Sequence, residues 1–332
     1  MAGLGQYPHG EPMARALASP AEVLTERWFS SAPREPEKQG RPPRRWLVVQ
    51  GATVLLAAGV TVFALLTRSL TPGESPAPVT QVPQGLPKVS DYHGLLVASD
   101  NPLRVLLGTH DGVYESSNAG QTWKKTTLTG SDAMSLASAA DSTVWASGHN
   151  VLAISNDGGE SWSTVLPQGL PSLDIHAFAV DPADSRNLYA AVAGHGLYRS
   201  IDGGVSFDRI SSDVGASVMS LVFTRDGELL ASDSERGLMN SADGGRTWKQ
   251  LMTTRVLGLA VNPRGPNTIL AAGPGVLLSW DGGRSFKQVL DIPQGAGSVA
   301  WAPSNADVGY AIGLDGVLYS TTDRGTTWKR AA

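Results

Sequence analysis

Five of the six histidines in this 332-residue chain stand beyond residue 90: His93, His110, His149, His176 and His195. They recur in two settings. His93 and His176 open apolar, alternating stretches, YHGLLV and IHAFAV. His110, His149 and His195 sit in short turn-like segments, THDG, GHNV and GHGL. Met134 and Met219 take the opening position of related stretches, DAMSLA and SVMSLV, and Glu235 and Arg236 occupy a turn like those of the three histidines. Asp315 stands in another such turn. Imidazoles in this number suit zinc, copper, nickel or iron, and thioethers beside them tilt the choice towards copper. Without a metal the same groups make a polar pocket that titrates near neutrality. Taken singly, each is an ordinary turn or channel residue. The chemistry depends on whether the fold brings them together.

The elements that must do so are marked by an eight-residue phrase, [S/T]-x-[D/N]-x-G-x-[S/T]-[W/F], written six times. The copies start at Ser116, Ser155, Ser200, Ser241, Ser279 and Thr321, spaced by 39, 45, 41, 38 and 42 residues. Strand-like runs lie between them. A period of about 40 residues is that of a four-stranded propeller blade. In the third unit, Ile175–Pro182, Leu188–Gly194, Leu197–Ser200 and FDRIS read as four strands, A to D, with the phrase turning C into D. Glycines in the phrase supply positive φ, and its Asp or Asn bonds turn N–H groups. The aromatic closing each copy (Trp123, Trp162, Phe207, Trp248, Phe286 and Trp328) buries a ring at the turn. In an A-to-D blade, the A-strand start and the B–C turn lie on one face and the C–D turn on the other. This phasing predicts that all five histidines, Met134, Met219 and Glu235 gather at one end of the channel. They form a candidate ligand site, and the five histidines a candidate transition-metal site.

The chain divides into four regions. Residues 1–45, rich in Pro, Arg, Glu, Ala and Ser, read as a disordered cytoplasmic tail. Residues 46–66 carry no charge and as a helix would span roughly 31 Å, so a transmembrane helix is expected over 46–67. Arg34, Lys38, Arg41, Arg44 and Arg45 precede it, which places the N-terminus inside and the rest outside the plasma membrane. Residues 68–88 read as a Pro-rich linker, and 89–332 as the propeller. With a net charge of −4, nothing suggests nucleic acid as a partner. With no cysteine, disulfides, thiolate metal sites and thiol nucleophiles are excluded. The fold class is therefore all-β, a six-bladed β-propeller after one transmembrane helix and a disordered tail.

The repeated phrase resembles the Asp-box, or BNR, repeat. The resemblance runs from about residue 90 to 332. The chain is similar to sialidases, sortilin-type receptors, the photosystem II assembly-factor family and bacterial proteins labelled glycosyl hydrolase-like. It implies that Asn118, Asp157, Asp202, Asp243, Asp281 and Asp323 are structural fasteners, one per blade. Sialidases carry an Arg-Ile-Pro motif ahead of the first boxes, and no such tripeptide exists here. Arg104, the one arginine between residue 89 and the first box, falls in an A–B turn. Glutamates in the propeller are only Glu115, Glu160, Glu228 and Glu235. The expected function is a membrane-anchored, extracytoplasmic module binding a protein, glycan or metal through its histidine-bearing face, without catalysis. The alternatives are an Asp-box glycosyl hydrolase using a histidine, Asp315 or Glu235, and a membrane-complex assembly factor.

Overall fold

The computed structural model describes residues 85–331, apart from 140, 215, 216 and 225. The tail, the expected membrane span and most of the linker lie outside the described residues. Among those described, no helix is long and apolar enough to cross a membrane.

Six four-stranded antiparallel sheets follow one another along the chain. Blade one is β1 (Tyr92–Val97), β2 (Val105–Thr109), β3 (Gly112–Ser116) and β4 (Lys124–Thr129). Blade two is β5 (Asp132–Ser138), β6 (Val144–His149), β7 (Val151–Ser155) and β8 (Ser163–Thr164). Blade three is β9 (Ile175–Asp181), β10 (Asp184–Val192), β11 (Gly196–Ser200) and β12 (Asp208–Ser211). Blade four is β13 (Val218–Phe223), β14 (Leu229–Asp233), β15 (Gly237–Ser241) and β16 (Lys249–Met252). Blade five is β17 (Gly258–Val261), β18 (Ile269–Ala272), β19 (Gly275–Ser279) and β20 (Lys287–Asp291). Blade six is β21 (Ala296–Ala302), β22 (Asn305–Gly313), β23 (Leu318–Thr321) and β24 (Lys329–Arg330). Each sheet pairs its strands in chain order, and β1 packs against β21, so the six blades close into a ring. The architecture is the six-bladed propeller expected.

One blade has no interior of its own, so the core lies between blades. Trp145 of blade two packs on Phe178 of blade three, with ring centroids 5.4 Å apart, in a cluster that also holds Leu152, Leu188 and Phe207. Equivalent clusters fill the other five seams, the last joining Leu95 and Leu107 of blade one to Tyr310 and Leu318 of blade six.

The boxes fasten this arrangement. In all six, the buried first hydroxyl accepts the N–H of the fifth residue, a glycine, at 2.8–3.1 Å. The same hydroxyl donates to the box carboxylate, or to the Asn118 amide oxygen, at 2.7–2.9 Å. That oxygen also accepts the N–H of the seventh residue. These bonds hold Asp281 and Asp323 down at about 2, and Asp157, Asp202 and Asp243 lower still; the hydroxyl of the seventh residue contributes most. The fifth-residue glycine also leaves room for the preceding blade. A Cβ on Gly159 would lie 2.5 Å from Leu106, and one on Gly245 would lie 2.6 Å from Leu197. The closing aromatics are less buried than expected: Phe207 is fully buried, while the four tryptophans and Phe286 are half-buried. Each of the four indoles donates its N–H to the carbonyl of the box glycine.

Candidate binding site on the histidine face

Antiparallel pairing puts the A-strand starts and B–C turns on one face and the boxes on the other. At that first face, three adjacent blades meet around Asp132, the residue that opens β5. Its Oδ2 lies 2.6 Å from Nδ1 of His149, its cross-strand partner in the same blade. The same oxygen lies 2.6 Å from Nδ1 of His110, in the B–C turn of blade one. Its Oδ1 is 3.6 Å from Nε2 of His93.

The pattern continues in both directions. Nε2 of His110 is 3.4 Å from Asp91 Oδ2. Nε2 of His149 is 3.6 Å from Asp174 Oδ1, and that oxygen is 3.1 Å from Nε2 of His176. Asp91, His110, Asp132, His149, Asp174 and His176 therefore form an alternating chain of carboxylates and imidazoles. The rings of His93 and His110, and those of His149 and His176, meet edge to face with centroids 4.5 and 5.2 Å apart.

Burial and charge divide the histidines. Burial pushes His93 down to about 3; the Asp132 charge opposes this and the other three imidazoles add to it. Burial likewise lowers His176, against the pull of Asp174. His149 is raised, first by its hydrogen bond to Asp132. Burial acts to raise Asp132, but the His149 bond and the charges of His93, His110 and His149 outweigh it and hold the carboxyl below its ordinary range.

Four of the five sequence-nominated histidines meet here. His195 does not: it is exposed and outside the cluster. The reason is one residue of register. Counted back from the first box residue, His110 (116 − 6) and His149 (155 − 6) stand six positions away, whereas His195 (200 − 5) stands five. Gly194 fills the sixth place, because the blade-three turn runs through three residues between β10 and β11. Glu235 (241 − 6) and Asp315 (321 − 6) do share that register. Glu235 is exposed in blade four, and Asp315 accepts from the Tyr319 hydroxyl and the Val317 N–H. Met134 and Met219 also stand apart from the cluster. With His93 they line a small cavity, about 80 Å³, inside the channel. Towards the A–B turns the channel widens to about 250 Å³ and becomes apolar, lined by Leu136, Phe178, Phe223 and Trp301 among others.

The sequence reading missed the carboxylates that join the histidines. Their signal is a column: Asp91-x-His93, Asp132-x-Met134 and Asp174-x-His176 all place Asp two residues before the A-strand His or Met.

Glycine is also required here. A Cβ on Gly148, the residue before His149, would lie 1.8 Å from the Asp132 carbonyl oxygen, and one on Gly108 would lie 2.4 Å from the Ala133 carbonyl oxygen. Only glycine lets the β6 and β2 edges approach β5 this closely.

Six in-phase boxes, their shared hydrogen-bond pattern and the closed ring define an Asp-box, or BNR-type, β-propeller. A family model described as "Photosynthesis system II assembly factor YCF48" matches residues 95–332. The chain belongs to that family. Among curated proteins, a xyloglucanase of Hypocrea jecorina (strain QM6a) is 33% identical over 111 residues, covering 31% of this chain and 12% of the enzyme. Among solved structures, a GH74 enzyme of Niastella koreensis superposes with a TM-score of 0.50 at 19% identity, covering 72% of this chain and 46% of that one. A YCF48 bound to D1 peptide superposes with a TM-score of 0.48 at 20% identity, covering 74% of this chain and 83% of that one. The chain thus spans about an eighth of the xyloglucanase and under half of the GH74 enzyme.

Proposed function

We propose that the propeller is a non-catalytic binding module that receives a protein partner on its histidine face, in the manner of an assembly factor. Membership of a family described as an assembly factor supports a protein partner. The observation that carries the choice of face is the run of partly exposed polar groups (Asp91, His110, Asp132, His149 and Asp174) across three adjacent blades. On the opposite face the box carboxylates are engaged by their own turns.

Glycoside hydrolysis is the weaker reading. It needs two carboxyl groups flanking the scissile bond. Among the described residues, neither channel cavity is lined by a carboxylate. The acids of the histidine face are paired with imidazoles. In this proposal residues 46–67 anchor the propeller outside the membrane, supported by the uncharged run and the five cations before it.

The test is site-specific photo-crosslinking of the full chain in its native membranes. A crosslinker at Asp91 or His195 samples the histidine face, and one at Ile201 or Trp280, both exposed in box turns, samples the other. Discrete protein adducts from the first pair and none from the second are expected. Adducts confined to Ile201 and Trp280 would refute the choice of face.

A further inference from the structure

We propose that the histidine face holds a pair of divalent transition-metal sites of the zinc type, one on His149, Asp174 and His176, the other on His93, His110 and Asp132, linked through Asp132. The pair stands whether or not a protein docks on this face.

In each triad the three ligand atoms lie within 4.8 Å of one another. The individual separations are closer to what a metal imposes. Tetrahedral zinc with bonds of about 2.0–2.1 Å sets its ligand atoms roughly 3.3 Å apart. Asp174 Oδ1 lies 3.1 Å from His176 Nε2 and 3.6 Å from His149 Nε2, and Asp132 Oδ1 lies 3.6 Å from His93 Nε2. The His110–Asp132 contact, at 2.6 Å, must open by several tenths of an ångström to admit an ion.

A network held by protons alone leaves the site unbalanced. Asp132 Oδ1, Asp174 Oδ1 and both ring nitrogens of His176 are buried and make no hydrogen bond with described residues. Buried polar atoms are paired in the great majority of cases. Here Asp132 Oδ1, Asp174 Oδ1 and Nε2 of His176, each able to offer a lone pair, face two points, while Nδ1 of His176 carries the ring proton. A cation at each point satisfies them.

The surroundings orient the ligands as metal sites require. Nδ1–H of His149 donates to Asp132 Oδ2, which leaves the Nε2 lone pair facing Asp174 and His176. Asp91 Oδ2 lies 3.4 Å from Nε2 of His110, whose Nδ1 faces Asp132 of its own triad. A carboxylate behind a ligating imidazole fixes its tautomer and raises its basicity. Asp132 serves both sites, since Oδ1 faces His93 while Oδ2 holds His149.

The donor set selects the metal class. Two imidazoles and one carboxylate suit zinc and its first-row neighbours, and poorly suit calcium or magnesium, which prefer oxygen throughout. Met134 and Met219 line the channel cavity and belong to neither triad, which removes the reason to favour copper. Three protein ligands leave a further coordination position. With the side chains of His149 and Asp174 over one-third exposed, that position is open to solvent or to an acidic group of a partner.

The experiment uses the full chain, stripped with chelator, dialysed against zinc chloride and assayed by elemental analysis and calorimetry. The parent should bind two equivalents of zinc. His176→Ala or Asp174→Asn should bind one. Asp132→Ala removes a ligand of the His93 and His110 site and the carboxylate behind His149, so it should abolish the one site and weaken the other roughly tenfold to 100-fold. His195→Ala, an exposed histidine of the same face, should still bind two. Circular dichroism in chelator confirms folding of each variant, and cobalt(II) spectra of the parent report nitrogen–oxygen coordination without any substitution. Fewer than two equivalents in the parent overturns the proposal. So does unchanged stoichiometry in both His176→Ala and Asp174→Asn, or a loss in His195→Ala equal to theirs.

Discussion

Asp132 Oδ2 accepts from Nδ1 of His149 at 2.6 Å, across the β5–β6 pair that joins their backbones. The same oxygen lies equally close to His110 of the neighbouring blade, so one carboxylate ties together two blades and two rings. Removing it takes from three imidazoles the carboxylate they share. Hydrogen bonds involving a charged group contribute about 1.5–3 kcal/mol. Asp132→Ala should therefore lower stability by about 2 kcal/mol in urea titrations run in chelator. His195→Ala should stay within about 0.5 kcal/mol of the parent. Equal losses from the two would mean that Asp132 joins nothing.

Backbone approach, as much as side-chain chemistry, positions Asp132. Gly148→Ala would place a Cβ 1.8 Å from the Asp132 carbonyl oxygen and 2.8 Å from the Met134 N. The clash is with backbone on both counts, so no rotamer relieves it. Overpacking of this kind costs about 1–3 kcal/mol, and here the β5–β6 pairing must also shift. Gly194→Ala makes the contrast. Its φ is +70° but a Cβ there would meet nothing within 4 Å, so only the conformational cost of about 1 kcal/mol applies. Gly148→Ala should also broaden or move the His149 and His110 ring resonances, and Gly194→Ala should leave them in place.

How much of this was legible follows from what repeats. The boxes recur because every blade needs the same C–D turn, and Ser200, Asp202, Gly204 and Ser206 announce that turn by type and spacing alone. Blade number and phase follow from them. Asp91, Asp132 and Asp174 were passed over because an aspartate beside a strand is ordinary; their column appears only once the blades are aligned. His195 was misplaced because the length of a B–C turn is set by where pairing stops, at Val192↔Gly196 in blade three and Ser147↔Leu152 in blade two. Composition does not reveal that end point. Met134 and Met219 hold the expected strand position and line the channel cavity with His93, outside both triads.

The boxes should be the acid-sensitive part of the fold. Hydrogen bonds from hydroxyl and backbone groups hold Asp281 and Asp323 at about 2 in the folded chain, against roughly 3.9 for a free aspartate. A depressed carboxyl contributes stability that is full above its unfolded value and is lost as pH falls through the folded one. Urea midpoints should therefore hold from pH 7 to about 4 and fall steeply between about 4 and 2. Asp281→Asn, which the natural Asn118 shows to be compatible with a box, should flatten that fall. An unchanged slope would mean that the box carboxylates are not held in their charged form.

The hydroxyl that opens each box is the more costly loss. Ser200 Oγ is fully buried, accepts the Gly204 N–H at 2.9 Å and donates to Asp202 at 2.7 Å. Ser200→Ala strands a buried backbone donor, at a cost of about 1–3 kcal/mol. Ser200→Thr keeps both bonds, as Thr321 does in blade six. The alanine variant should be destabilised in urea and the threonine variant should recover most of the loss.

Among the described residues, ring closure rests on apolar packing and a tyrosine hydrogen bond. Blade one uses β1 to β4 and blade six β21 to β24, so no strand is exchanged across the seam. The seam is held by Tyr310, whose hydroxyl donates to the Pro102 carbonyl at 2.9 Å, and by Leu318, against which Gly120 packs with no room for a Cβ. Leu318 is almost fully buried, and truncating such a leucine costs about 2–5 kcal/mol. Leu318→Ala should open this seam before any other, because each remaining interface also has a covalent link between its blades and the closing one has none. Amide exchange should then rise first in β1 and β21, with β9 and β13 still protected. Uniform loss of protection around the ring would show instead that the six seams fail together and that closure is no weaker than the rest.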